Sequence, residues 1–86
     1  LRYEIYLTRK ARKDLDKLDP QTRRRVIDAL ITLRDYGFTP RLDIKKLKGY
    51  KNHYRLRVGE YRVLFELEKP RGIIVYAILP RKQAYQ

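Results

Sequence analysis

Arg55, Arg57 and Arg62 fall at alternating positions in the segment 51–67, KNHYRLRVGEYRVLFEL, and guanidiniums so spaced can hold an anion. Tyr54, Leu56 and Val58 alternate with His53, Arg55 and Arg57. Beyond Gly59-Glu60, Tyr61, Val63, Phe65 and Leu67 alternate with Arg62, Leu64 and Glu66. A two-residue loop with Gly first suits a type II′ turn, and it predicts a hairpin paired Val58/Tyr61, Arg57/Arg62, Leu56/Val63, Arg55/Leu64 and Tyr54/Phe65. One face is then apolar and the other basic. Arg57 opposite Arg62 costs a few tenths to about 1 kcal/mol unless something sits between the charges. A phosphate-sized ligand held by both would remove that cost; the alternative is a solvated face with Glu60 or Glu66 as counter-charge.

If the anion is RNA, metal-free cleavage needs a base for the 2′-OH, donors for the charge on the phosphate, and an acid for the leaving 5′ oxygen. Arginine fills the second role and, always protonated, is a poor base. The one histidine, His53, shares strand parity with Arg55 and Arg57, and its unperturbed pKa of about 6.5 suits a base. Lys48 and Lys51, just before the hairpin, are other bases if surrounding positive charge lowers their pKa, and they add RNA-binding charge. Arg81, Lys82 and Tyr85 follow the last strand, where Tyr85 can stack on a base, donate a proton or simply pack. No carboxylate pair, metal-spaced cluster, phosphate-binding glycine loop or nucleophile-base motif appears, so no metal or other cofactor is expected.

Residues 1–86 are expected to form one domain. Lys and Arg outnumber Asp and Glu 22 to 10, a net charge of +12, and so large an excess points to an anionic partner: nucleic acid, an acidic protein segment or an anionic membrane, of which the first two can apply in turn. The absence of cysteine fits a reducing cytoplasm and excludes disulfides and thiolate zinc sites. No apolar run approaches membrane-spanning length, and no membrane partner is expected.

Several elements must position the basic face. Residues 1–8 alternate as a first strand. Thr8 can cap a short helix burying Ala11, Leu15 and Leu18, and Asp19-Pro20 starts a second helix that runs to about Tyr36 and ends at Gly37. That helix buries Val26, Leu30 and Leu33, helped by Ile27 and Tyr36, and turns Arg23, Arg24, Arg25 and Arg34 outward, far in sequence from the hairpin. Leu42, Ile44 and Leu47 fit either a short strand or a helical turn. Ile73–Leu79, apolar on both sides, belongs inside the sheet, with Ile74, Tyr76 and Ile78 flooring a cleft. The expectation is an α+β fold: a mostly antiparallel twisted sheet, two N-terminal helices packed on one face, and a basic concave opposite face.

Lys46-Leu47-Lys48-Gly49, Tyr54-Arg55-Leu56-Arg57-Val58-Gly59-Glu60-Tyr61-Arg62-Val63 and Pro80-Arg81-Lys82-Gln83-Ala84-Tyr85 together resemble the RelE/ParE toxin superfamily, most of all its RelE branch. The resemblance covers the whole chain in element order. It implies the toxin of a type II toxin–antitoxin system, a ribosome-dependent endoribonuclease that cuts mRNA in the A site of a 70S-type ribosome and is neutralised by a RelB-like antitoxin. By this resemblance Arg55 and Arg57 match two basic strand positions that are often lysines, one of them the general base. Arg62 matches the arginine that stabilises the phosphate in the transition state. Arg81, or Lys82 with a one-residue shift, matches the residue that protonates the leaving group, and Tyr85 the tyrosine that stacks on the nucleotide. Arginine at both 55 and 57 departs from the pattern and removes the obvious base. The alternatives are a gyrase-directed inhibitor like the ParE branch, or a weakly catalytic homologue that only binds RNA or the ribosome.

Overall fold

Chain order is β1 (Glu4–Leu7), α1 (Arg9–Asp16), α2 (Pro20–Tyr36), β2 (Asp43–Lys46), β3 (His53–Val58), β4 (Tyr61–Glu68), β5 (Gly72–Pro80) and α3 (Arg81–Ala84) in the computed structural model, which describes residues 2–84. The five strands lie in the order β1-β5-β4-β3-β2. Only β1 runs parallel to its neighbour, β5; the other pairs are antiparallel. β3 and β4 pair in the expected register, with Arg57 opposite Arg62.

Local chemistry fixes the helix ends. Thr8 Oγ1 accepts the Ala11 N–H at 3.1 Å, and Asp19 Oδ2 accepts the Thr22 N–H at 3.1 Å with Pro20 in the first turn of α2. Gly37, at φ 73°, stops α2 in a conformation that a side chain would strain. Arg23 does not face solvent freely. Its Nη2 donates to Leu18 O at 2.9 Å and Asp16 O at 3.4 Å, tying α2 back to the end of α1.

The core forms where the two helices meet one face of the sheet. Ala11, Leu15 and Leu18 of the first helical segment and Val26, Leu30 and Leu33 of α2 pack on Leu56, Val58, Val63, Phe65, Ile73 and Val75. Ile27 and Tyr36, expected to help, are 39% and 58% exposed. Ile27 falls on the flank of the buried stripe, and Tyr36 instead lies under the Arg41 guanidinium, 4.7 Å from its ring centroid.

Ile78 also departs from expectation, since it is buried in this core rather than flooring an open cleft. Leu64 pairs with Ala77 and Phe65 with Val75, so Tyr76 is an extra residue and the inward-outward alternation of β5 shifts by one. β1 ends its ladder at Leu7 opposite Val75, and further along β5 the Ile78 N–H donates to Asp14 Oδ2 at 3.0 Å. Burial opposes the charge on Asp14, but bonds from Lys10 Nζ, at 2.8 Å, and the Ile78 N–H outweigh it and hold the carboxyl below its ordinary range.

Candidate nucleic-acid interface

Pairing and pleat sort the face of the sheet away from the helices into cross-strand rows. The first, at the hairpin end, reads Asp43, Arg57, Arg62 and Leu79. The second reads Lys45, Arg55, Leu64 and Ala77. The third reads His53, Glu66 and Ile74, with bulged Tyr76 beside it. The first and third rows are four residues apart along β3, about 13 Å at the rise of a strand.

The first row gathers the charge. Gly59 has φ 58° and Glu60 does not have positive φ, as a type II′ turn requires. Arg62 is only 3% exposed, and its Nη1 donates to Gly59 O and Tyr61 O at 3.0 Å each, folding the guanidinium against the turn. Arg57, opposite it, is exposed.

Two more basic residues reach the same turn. α3 starts beside it, where the Arg81 N–H donates to Glu60 O at 2.8 Å, and Glu60, Pro80, Arg81 and Lys82 line an open pocket of about 560 Å³. From the other side, the Arg25 guanidinium of α2 packs on Gly59, with Nη1 3.1 Å and Nη2 3.2 Å from where a Cβ would stand. In the sequence Arg25 stands apart from the hairpin. The only hint was Gly59 itself, which leaves the turn bare, because the docking of α2 against the sheet is not encoded in any local pattern. Neither Arg25 nor Arg57 contacts a carboxylate among the described residues.

The other candidates lie elsewhere. Arg55 Nη1 is bound to Asp43, at 2.9 Å to Oδ1 and 3.1 Å to the backbone oxygen, so its charge is already met. Arg55's hydrogen bond, helped by the charges of Arg57 and Arg62, holds the Asp43 carboxyl below its usual range. Asp43, rather than Glu60 or Glu66, thus supplies the counter-charge on this face. His53 stands in the third row with Nδ1 3.0 Å from Tyr76 Oη, about 13 Å from the Arg57–Arg62 pair. Lys48 and Lys51 flank the turn before β3, where Lys46, Leu47, Lys48, Gly49, Tyr50 and Lys51 line an open pocket of about 370 Å³. Tyr85 lies outside the described residues.

Comparison with known proteins then decides the family. Residues 5–85 match the family described as the ParE toxin of type II toxin-antitoxin system, parDE. Toxin RelE3 of Methanocaldococcus jannaschii is 51% identical over 45 residues, which is 52% of this chain and 50% of RelE3. A second protein of that archaeon, RelE1, is 31% identical over 100% of this chain and 98% of its own length. The chain belongs to the RelE/ParE toxin superfamily, on its RelE branch. Among solved structures, the RelB-RelE antitoxin-toxin complex from Methanococcus jannaschii has a RelE-like fold superposing on this one with a TM-score of 0.81, at 33% identity, covering 93% of this chain and 94% of that one. On this RelE-type scaffold the sequence positions read as phosphate-binding, Arg57 and Arg62, occupy one row, while Arg55 and His53 are drawn into other contacts.

Proposed function

We propose that this chain is a ribosome-dependent endoribonuclease that cuts mRNA in the A site of a 70S-type ribosome. The observation that carries the reading is the opposed pair Arg57–Arg62 on the uncovered sheet face, at a turn that Arg25 and Arg81 also reach. In the reaction the 2′-oxygen attacks phosphorus, the bond to the 5′ oxygen breaks, and a cyclic phosphate and a 5′-hydroxyl result. Arg57 and Arg62 stabilise the charge that builds on the phosphate oxygens. Arg81, or Lys82 beside it, gives the proton to the leaving oxygen, and Tyr85 stacks on the adjacent base. Lys48 and Lys51 steer the strand electrostatically.

His53 is too far along the strand to share that phosphate, and Arg55 is bound to Asp43. The 2′ proton therefore leaves to solvent or to ribosomal RNA, and acceleration comes from in-line positioning and charge stabilisation.

The partner is a RelB-type antitoxin, in keeping with the RelB–RelE complex of the relative. Its apolar seat is the groove of about 250 Å³ between β1, α1 and α2, where Leu7, Leu15, Ile27 and Ile31 converge. An acidic segment of the same antitoxin covers the arginine row.

A purified translation system carrying an occupied P site tests the reading. Cleavage within the A-site codon is expected, and uncut mRNA at stoichiometric toxin would sink it. The match to a ParE-described family supports one competing reading, inhibition of DNA gyrase. A ribosome-free supercoiling assay separates the two: the endoribonuclease reading predicts full supercoiling activity in the presence of the protein.

A further inference from the structure

The third row of the open face has a composition that phosphate chemistry does not explain. His53 Nδ1 meets Tyr76 Oη at 3.0 Å, and the Tyr50 ring lies 5.7 Å from the His53 ring. Glu66 stands opposite His53 with its Oε2 3.9 Å from Nε2, too long for a hydrogen bond, and its side chain is 47% exposed. Burial, with the charges of Glu66 and Tyr50 nearby, pushes the Tyr76 phenol up and keeps it protonated. Tyr50 is the most open large side chain of the group, 64% exposed, and sits among Lys46, Lys48 and Lys51.

We propose that Tyr50, His53, Glu66 and Tyr76 form a nucleobase subsite, in which Tyr50 stacks on a base of the bound RNA and the Glu66 carboxylate reads its edge. The inference rests on the RNA-cleaving reading above and adds to it a means of choosing sequence. The geometry is that of a track. The phosphate row and this row share one face, and a span of about 13 Å lies within reach of a neighbouring nucleotide of one extended strand. Aromatic rings beside lysines are the usual makeup of a single-strand platform.

Glu66 decides between an RNA and an acidic peptide as occupant. A carboxylate in the middle of a basic surface repels acidic side chains, whereas it accepts hydrogen bonds from amino groups on base edges. Guanine offers two adjacent donors on its Watson–Crick edge, and uracil has no amino group. The subsite therefore favours guanine over uracil. His53 serves as a positioning residue, since its contact with Tyr76 holds the ring wall behind the base.

The test measures binding of fluorescent single-stranded RNA hexamers, guanine-containing or uracil-containing, to the purified full chain at low salt, with Tyr50→Ala, Glu66→Gln and Arg57→Ala variants. Wild type is expected to prefer the guanine hexamer by about tenfold, within the range of one well-made base contact. Glu66→Gln should weaken the guanine hexamer by about fivefold and leave the uracil hexamer near wild type, which brings the preference to within about twofold. Tyr50→Ala should weaken both hexamers by about tenfold, as loss of one stacked base does. Arg57→Ala should weaken both equally and keep the preference.

A preference unchanged in Glu66→Gln, or wild-type affinity in Tyr50→Ala, overturns the subsite. So does displacement of RNA by a polyglutamate peptide whose binding is lost in Tyr50→Ala, which would assign the surface to an acidic protein segment. The two levels fail separately: base preference without A-site cleavage keeps the subsite and removes the nuclease reading, and cleavage indifferent to Tyr50 and Glu66 does the reverse.

Discussion

Arg25 separates a binding role from a folding role more cleanly than any other residue at the turn. Its guanidinium contacts no carboxylate among the described residues, so Arg25→Ala should change the unfolding free energy by no more than about 0.5 kcal/mol. Gly59→Ala leaves the same guanidinium in place, because the new Cβ would stand 3.1 Å from Nη1 and the flexible side chain need give by only a few tenths of an ångström. That variant also forces an L-residue to φ 58°, at a cost of about 1–3 kcal/mol. For a domain of this size each kcal/mol lowers Tm by roughly 4–8 °C. If Arg25 contacts one phosphate of a single strand, its loss should flatten the slope of log affinity against log salt by about 0.7.

Fluorescence anisotropy of a labelled RNA across a salt series, paired with thermal unfolding, reads both effects. Arg25→Ala should lose the slope increment and keep its Tm. Gly59→Ala should keep the slope increment and lose several degrees of Tm, and the double variant should show both losses. An unchanged slope in Arg25→Ala, or a slope in Gly59→Ala as flat as in Arg25→Ala, would refute the placement of Arg25 at the phosphate.

Two further predictions concern stability and partner choice. Asp14→Ala should cost about 1–3 kcal/mol by leaving the Ile78 N–H without its acceptor. Because the folded carboxyl titrates below its ordinary value, that contribution is complete above the unfolded pKa of about 3.9 and is lost as pH falls through the lower folded value, so denaturation curves of variant and wild type should converge only in strong acid. Ile31→Asp, on the exposed flank of the apolar groove, should weaken antitoxin binding by tenfold or more, about 1.4 kcal/mol, with A-site cleavage at the wild-type rate. Equal antitoxin affinity, read by calorimetry, would move the seat elsewhere.

The hairpin was legible in the sequence because side-chain parity in a strand is strict and Gly59-Glu60 allows one turn geometry, which together fix every pair from Val58/Tyr61 to Tyr54/Phe65. The cap residues Thr8 and Asp19 were legible for the same local reason. Features set by distant packing were not. The bulge at Tyr76 leaves no mark in an apolar run, so Ile78 reads as outward when it is buried. β2 has only Ile44 partly covered, and such an edge strand shows no alternation to find. Likewise, a salt bridge from Arg55 to Asp43 depends on β2 lying beside β3, and Arg25 on the angle at which α2 crosses the sheet.

The position of the scissile phosphate tests the role of the arginine row most directly. A structure of the protein on a ribosome whose A-site mRNA carries 2′-deoxyribose at the cleavage position, and so cannot react, would locate it. The phosphate is predicted within hydrogen-bond distance of the Arg57 guanidinium at the Gly59 turn, with the buried Arg62 guanidinium acting on it from beneath. A phosphate seated against the Lys48–Lys51 turn instead, with neither guanidinium in contact, would contradict the account.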